Sequence, residues 1–262
     1  MVETGDTRVR CEIADHVAAI TLARPEKLNA LDMEMVFAIE RACQAIEGAP
    51  NVRVAILTGE GEKAFSAGGD IEAWASRTPL EFGQAWVRHG HRAFDALTRL
   101  KQPLIAVLNG HALGGGLELA ACADFRIAEE HVRIGAPESG LGMIPGWSGT
   151  QRAVRRFGAQ VVRRMAILGE TFTAEEALKL GLVDKVVLRD AGPQAAQDWA
   201  QRIAARGPVA TQLVKALINA AQGEDAERAL EMTAGAFAAT TADLKEGVAA
   251  FRGKRKPAFG GK

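Results

Sequence analysis

The sequence has no excess of either charge: its 262 residues contain 32 Lys and Arg and 32 Asp and Glu, a formal net charge of zero. Proteins that bind nucleic acid or an anionic membrane surface usually show a basic excess. We therefore expect neither nucleic acid nor membrane as a partner. Any anionic ligand must be held by a local group of cations.

Cysteine is scarce, and no two cysteines form a C-x-x-C pair; the three are Cys11, Cys43 and Cys122. This spacing argues against a disulfide framework and a zinc site, so no metal is expected. Residues 1–10 contain no apolar run, so we expect neither a signal peptide nor a transit peptide. No apolar stretch approaches the roughly 20 residues that a membrane span needs. Together these features predict a cytoplasmic protein.

The common nucleotide-binding and nucleophile motifs are missing as well. Neither a G-x-x-x-x-G-K-[ST] phosphate loop nor a dinucleotide fingerprint occurs. Residues 146–150 (GWSGT) nearly match the G-x-S-x-G elbow of serine hydrolases, but Thr150 replaces the last glycine. No ordering of His and Asp supports a triad, so a serine hydrolase is disfavoured.

Strand and helix patterns alternate along the first 190 residues or so. Residues 8–13 and 17–22 predict a β-hairpin, and 52–57 and 104–108 predict buried strands. Asp32 is expected to cap a helix, and Thr173 with Glu176 forms a capping box. From residue 194 onward strand patterns disappear and alanine-rich helical patterns follow. The sequence predicts an α/β region over residues 1–192 and a helical region over residues 193–262.

Two glycine-containing loops and two glutamates carry the most chemical information. Residues 66–70 (SAGGD) let backbone amides approach a ligand, and Gly114 begins a glycine run that opens a helix, a natural site for an oxyanion. Glu118 lies on that otherwise apolar helix, where a carboxylate costs free energy unless it is paired or used. Glu138 lies in a loop rich in proline and glycine. Each feature is weak alone, and the combination is informative.

Four segments, in this order and at this spacing, resemble the signature of the crotonase (enoyl-CoA hydratase/isomerase) superfamily: residues 66–70, 109–118, 137–138 and 145–152. Residues 24–31 and 171–183 resemble further motifs of the family, so the likeness covers nearly the whole chain. It implies an α/β fold with a crotonase-like ββα spiral core that holds the active site, over residues 1–192. The helical region, 193–262, would contact CoA and mediate assembly into homotrimers or hexamers.

The resemblance also implies roles for individual residues. The backbone amides of Ala67 and Gly115 would form the oxyanion hole for the thioester oxygen. Glu138 would deliver a proton to Cα, and Glu118 would position and activate the water. The residues implied for the acyl pocket are Trp147, Leu141 and Pro145, and those implied for CoA are Arg24, Lys27, Ala67, Asp70, Ile71, Lys254 and Lys256. Lys254 and Lys256 could equally belong to a solvated basic tail that does not contact CoA. No cofactor is implied, since CoA is part of the substrate.

Because both glutamates are present, the resemblance favours an enoyl-CoA hydratase that adds water reversibly to a trans-2-enoyl-CoA and gives a 3-hydroxyacyl-CoA through a thioester enolate. An enoyl-CoA isomerase or a specialised acyl-CoA lyase remains an alternative. A non-catalytic RNA-binding or scaffold relative is less favoured. The arginine-rich stretch 152–164 predicts an amphipathic helix with a solvated cationic face and not an RNA surface.

Two positions depart from the family pattern. Gly69 stands where many relatives have alanine, which should leave the loop functional. Trp147 stands where small residues or phenylalanine are usual. Its indole could line or shorten the acyl pocket, or pack outward against a neighbouring subunit.

Overall fold

The computed structural model describes residues 1–262, with ten strands and twelve α-helices. The strands are β1 (Val9–Ala14), β2 (Val17–Leu22), β3 (Val54–Gly59), β4 (Ala64–Ser66), β5 (Leu104–Leu108), β6 (His111–Leu113), β7 (Phe125–Glu129), β8 (Arg133–Gly135), β9 (Thr171–Thr173) and β10 (Lys185–Val187). The helices are α1 (Met33–Gly48), α2 (Ile71–Trp74), α3 (Pro79–Glu81), α4 (Arg88–Arg99), α5 (Gly115–Cys122), α6 (Gln151–Phe157), α7 (Ala159–Ala166), α8 (Ala174–Lys179), α9 (Gly192–Ala204), α10 (Pro208–Ala221), α11 (Ala226–Ala239) and α12 (Ala242–Arg252).

The larger sheet has six strands in the order β1-β2-β3-β5-β7-β10. The predicted hairpin is confirmed: β1 and β2 pair antiparallel with Val9 opposite Leu22. Its two turn residues, Asp15 and His16, both have positive φ (45° and 70°), as a tight two-residue hairpin turn requires. The remaining neighbours in this sheet all pair in parallel.

A second, four-stranded sheet, in the order β4-β6-β8-β9, shows how the core repeats. Each long strand β3, β5 and β7 is followed directly by a short strand of the second sheet (β4, β6 and β8) and then by helix. This repetition is the predicted ββα spiral, and the α/β fold is thereby confirmed. Ser66, the first residue of the predicted glycine loop 66–70, ends a strand, since Ala64–Ser66 forms β4.

Apolar residues cover both faces of the central strands. One face packs into the main core with α1, α4 and α5, and the other carries a smaller cluster that includes Val54, Ile105 and Ile127 against Ala196 of α9. Burial on both faces explains why these strands read as continuous apolar runs and not as alternating ones. The predicted cap is also confirmed, because the Asp32 carboxylate accepts a hydrogen bond from the Met35 N–H at 3.1 Å.

By its contacts the chain divides into two compact units, Met1–Gln212 and Leu213–Lys262. The first helix of the predicted C-terminal region, α9, therefore belongs to the first unit. Within the second unit the chain end folds back on α12: the carboxylate of Asp243 accepts hydrogen bonds from the N–H groups of Gly260 and Gly261. None of the helices combines the length and the apolar character required to cross a bilayer.

A helical stretch runs over residues 79–99 and is not uniform. Thr78 and Glu81 form a capping box at its start. A π-helical segment, Phe82–Val87, then leads into α4. Segments of this kind are rare and often occur at functional sites. Here it brings the Trp86 side chain into the core, beside the indole of Trp147.

Gly90 on α4 lies directly under that indole, and we expect Gly90→Ala to destabilise the fold. A Cβ at this position would lie 1.9 Å from Trp147 Nε1, so the rings would have to move. Overpacking of this kind costs about 1–3 kcal/mol. Urea unfolding measures the loss. Gly83→Ala is the matched control, because nothing lies within 4 Å of an added Cβ there. Equal stability of the two variants would contradict the packing described for Trp147.

Candidate active site

The two glycine loops and the two glutamates meet at one cavity of about 110 Å³. Its lining is mostly apolar, with two carboxyl groups among aromatic and small residues. The lining residues are Ala67, Gly69, Ile71, Trp74, Phe82, Trp86, Gly114, Gly115, Glu118, Pro137, Glu138, Leu141, Met143, Ile144, Gly146 and Trp147. A mostly apolar cavity with a few convergent polar groups is typical of an active site.

Glu118 lies on α5 and is only 4% exposed. One of its oxygens, Oε1, accepts hydrogen bonds from the backbone N–H groups of Trp147 and Gly149, each at 2.6 Å. Burial, together with the nearby charge of Glu138, raises the pKa of Glu118 to about 7, although the two N–H groups oppose the rise. The carboxyl group is therefore poised to exchange a proton near neutral pH.

Glu138 follows β8 and reaches the same cavity from the opposite loop. Burial raises the pKa of this carboxyl group too. Its Oε2 atom is buried and has no hydrogen-bond partner in the protein. A Cβ on Gly114 would lie 3.1 Å from its Oε1 atom, so the carboxyl group rests against the glycine run. A buried oxygen without a partner is suited to a proton or to a ligand in the cavity.

The amide predicted for one half of the oxyanion hole, that of Ala67, is already engaged. Its N–H donates to the carbonyl oxygen of Leu28 at 3.0 Å. The N–H of Gly68 donates to the Ser66 hydroxyl, and that of Asp70 to the Leu31 carbonyl oxygen. The prediction of Ala67 as the donor is therefore wrong, although its side chain does line the cavity.

Gly69 holds the amide of this loop that donates to no group of the protein, and it lines the cavity. The reason is the pairing of Gly69 with Leu31 in a parallel bridge. In this bridge Leu31 makes both hydrogen bonds, donating to the Gly68 carbonyl oxygen and accepting from the Asp70 N–H, so the N–H of Gly69 points away from Leu31. Sequence spacing cannot show which amide of a short loop is left over, because that depends on the partner segment.

Gly115 supplies a second open amide, because it is the first residue of α5 and a helix start leaves its N–H groups without helical partners. The two loops touch: a Cβ on Gly115 would lie 3.3 Å from the Gly69 nitrogen. Gly68 also has to be glycine, since its φ is +96° and an added Cβ would lie 2.7 Å from the Gly115 nitrogen. Two unpartnered N–H groups thus face the cavity side by side.

Trp147 points inward, which settles the two predicted orientations of its indole. The ring is 2% exposed, packs 5.1 Å from both Trp86 and Phe94, and donates its Nε1–H to the Trp86 carbonyl oxygen at 3.1 Å. Gly69, the other departure from the family pattern, lies against the same rings: an added Cβ there would lie 2.9 Å from the Trp86 ring and 3.5 Å from the Trp147 ring. The two unusual positions are therefore coupled by contact.

The structure places the other predicted acyl-pocket residues differently. Leu141 lines the cavity, as the resemblance implies. Pro145 is absent from the lining and lies against Gly149, where an added Cβ would be 2.6 Å from the proline ring. Trp74, Phe82 and Trp86 line the cavity without having been predicted. No motif marks them, because their approach depends on the path of the chain between α2 and α4.

Some of the residues predicted to bind CoA form ion pairs within the protein. The Arg24 guanidinium pairs with Asp70 at 2.9 Å, and Lys27 pairs with Glu72 at 2.6 Å. Ile71 lines the cavity and is half-exposed. Their contact with CoA stays a prediction, as does that of two exposed residues of the second unit, Lys254 and Lys256.

Arg152 corrects the expectation of a solvated cationic face on residues 152–164. It is 4% exposed and its guanidinium pairs with Asp95 of α4 at 2.6 Å. This ion pair links α6, which follows the 145–150 loop, to α4. The arginine therefore supports the wall of the site and does not face solvent.

The fold and the site together define the class of protein: a ββα spiral whose glycine loops and paired carboxyl groups surround one small cavity. The family model described as "Enoyl-CoA hydratase/isomerase" matches residues 12–262, and the chain belongs to this family.

Individual relatives span nearly the whole chain. The "Crotonyl-CoA hydratase" of Syntrophomonas wolfei is 37% identical over 250 residues, 95% of this chain and 96% of that protein. The "Short-chain-enoyl-CoA hydratase" of Clostridium acetobutylicum is 39% identical over 92% of each chain. The crystal structure of an enoyl-CoA hydratase from Bacillus anthracis superposes with a TM-score of 0.80 at 36% identity, covering 98% of this chain and all of that one.

Replacing Glu118 by glutamine should stabilise the protein at pH 8 and much less at pH 5. The unfolded chain loses this proton near pH 4.5 and the folded protein near pH 7, so the folded state binds more protons between these values. Wild-type stability therefore falls as pH rises through this window, by about 2–3 kcal/mol from this group. The introduced amide keeps an oxygen for the two N–H groups and does not ionise.

Urea unfolding of both proteins at pH 5 and pH 8 measures the effect. Glu34→Gln serves as control, since Glu34 is exposed. A stability difference between Glu118→Gln and wild type that does not change with pH would contradict a raised pKa for Glu118.

Proposed function

We propose that this chain is an enoyl-CoA hydratase, which adds water reversibly to a trans-2-enoyl-CoA to give a 3-hydroxyacyl-CoA. The observation that carries the proposal is the meeting of two carboxyl groups and two open backbone amides at one cavity. Hydration of a conjugated thioester needs both parts: donors for the oxygen that gains charge, and groups that move two protons.

The amides of Gly69 and Gly115 bind the thioester carbonyl oxygen. As the double bond is attacked, negative charge moves onto this oxygen and a thioester enolate forms. Each donor aimed at such an oxygen lowers the barrier by about 3–4 kcal/mol. The donors belong to a parallel bridge and a helix start, so they need no reorganisation when the charge appears.

The two glutamates handle the water. Glu118 accepts a proton from the water while the water oxygen bonds to Cβ, and Glu138 gives a proton to Cα, which receives the electron pair of the enolate. Burial keeps Glu138 protonated to a higher pH than usual, which suits the acid, and Glu118 titrates near neutrality. Because two nearby carboxyl groups resist double ionisation, the pair titrates as a unit.

The proposal requires no metal and no cofactor beyond the CoA of the substrate. The assembly implied by the family, a homotrimer or a hexamer, is part of the same proposal, and so is the cytoplasmic location. Both rest on the resemblance and on the sequence features described above. Size-exclusion chromatography with light scattering tests the assembly.

Glu118→Gln and Glu138→Gln should each lower the turnover of crotonyl-CoA by about 10²–10⁴-fold and leave its binding intact, because a positioned proton-transfer group is lost. The decrease in conjugated-thioester absorbance, with identification of 3-hydroxybutyryl-CoA, measures turnover. Glu34→Gln is again the control. Wild-type rates in either site variant would refute the assigned roles, and a product other than the 3-hydroxyacyl-CoA would refute hydration.

The substrate should carry a short acyl chain, because three of the four tryptophans close one end of the cavity. A Cβ on Gly69 would meet Trp86, Trp147 and Trp74 at 2.9, 3.5 and 3.6 Å, so the three indoles converge on the oxyanion loop. This leaves the small volume of about 110 Å³. An acyl chain of about four carbons fits a space of this size, and a long one has to displace a ring.

We therefore expect kcat/KM to be at least about tenfold higher for the four-carbon substrate than for the ten-carbon substrate. Trp86→Leu should narrow that ratio by opening the closed end. Trp199→Leu is the matched control, because this tryptophan lies on α9 outside the cavity lining. Assays across enoyl-CoA chain lengths give the ratio, and equal narrowing in both variants would contradict the assignment.

A further inference from the structure

The loop 147–149 determines the position of Glu118, since both hydrogen bonds to its buried oxygen come from this loop. Between the two donors lies Ser148, with φ of +80°. This left-handed region is uncommon for a residue with a side chain, and glycine occupies it more readily. A serine held there needs compensation from its surroundings.

The Ser148 side chain has one prominent contact. Its Oγ lies 2.9 Å from Nδ1 of His91 on α4, a hydrogen-bonding distance, and Ser148 is 8% exposed. The Ser148 carbonyl oxygen accepts the N–H of Arg152 at 3.0 Å. Ser148, His91 and Arg152 are not among the residues that line the cavity.

Helix α4 contacts the segment at two further points. Gly90 leaves room for the Trp147 indole, and Asp95 pairs with Arg152 at 2.6 Å. Three positions of one helix thus contact three successive parts of the segment that carries the donors to Glu118. Of these, the contact to Ser148 lies between the two donor amides.

We propose that His91 and Ser148 are positioning residues for the reaction: the hydrogen bond between their side chains holds the loop in the conformation in which Trp147 and Gly149 both donate to Glu118. The inference rests on the proposed function for the role of Glu118. It assigns a purpose to a strained serine and a half-buried histidine that the reaction itself does not use.

Loss of this hydrogen bond should raise the pKa of Glu118 above its present value of about 7, because the two N–H groups favour its ionised form. The charged groups that face Glu118 are Glu138 and Arg152, and those that face His91 are Asp95 and Arg152. Burial lowers the pKa of His91, so its imidazole is neutral at neutral pH. Substitution of Ser148 changes none of these charges.

The test compares Ser148→Ala, Ser148→Gly and His91→Phe with wild type in the full-length protein. We expect kcat for crotonyl-CoA to fall about tenfold at pH 7 and the acid limb of the kcat profile to move up by about one pH unit. KM should change little. Ser148→Gly removes the hydroxyl and relieves the backbone strain, so it separates the two effects. His91→Asn keeps a polar atom near the position of Nδ1 and should restore most of the activity.

His89→Phe is the matched control on the same helix, because the His89 ring packs edge-on against Phe37, with ring centroids 5.2 Å apart, and the hydrogen bond to Ser148 comes from His91. A fall in kcat that is uniform across pH, or no change at all, would overturn the proposal. The former indicates packing alone, and thermal unfolding should then show a matching loss of stability.

If the proposed function is wrong, the wild-type protein does not hydrate crotonyl-CoA, and this result is distinguishable from failure of the positioning role. The positioning role remains testable by carbon-13 NMR of protein with labelled glutamate carboxyl groups, using Glu118→Gln to identify the signal. An upward shift of its titration in Ser148→Ala supports the role. An unchanged titration overturns it.

Discussion

The carboxyl group of Glu118 lies inside the protein, on a helix whose other residues are buried and apolar, and two backbone N–H groups of the 147–149 loop hold it there. A carboxylate in such a place costs several kcal/mol unless it is hydrogen-bonded. Burial raises the pKa of Glu118 and the two hydrogen bonds lower it, and the balance of the two effects leaves the pKa at about 7. This balance suits the proton-transfer role proposed for Glu118.

Glycine residues allow the loops to approach Glu118 and each other closely. Gly149 has no Cβ, and one would lie 2.7 Å from Glu118 Oε1, so the loop comes as close as the hydrogen bonds need. The two glycine loops touch at Gly68 and Gly115, where the absence of a side chain again permits the contact. The indole rings of Trp74, Trp86 and Trp147 fill the volume that a side chain at Gly69 would occupy. The two buried carboxyl groups, the two open amides and the small volume of the cavity are thus results of one packing arrangement around three loops.

The helix α4 connects this arrangement to the rest of the core. It lies between the first helix and the site, and its residues Gly90, His91 and Asp95 contact the segment that carries the donors to Glu118. Because core helices are close-packed, a change on one face of α4 is transmitted to that segment. The stability of the core and the geometry of the carboxyl group are therefore linked.

Short-range patterns in the sequence located the hairpin, the two glycine loops and the glutamates Glu118 and Glu138, and the resemblance to the crotonase superfamily implied the ββα spiral. Only the folded structure shows which amide is open, which aromatic rings line the cavity and which side chains contact the 147–149 loop. The assignment of Ala67 failed because Leu28, far away in sequence, takes its N–H. Local patterns report hydrogen-bonding capacity, whereas the partner that uses it depends on segments brought together only by folding.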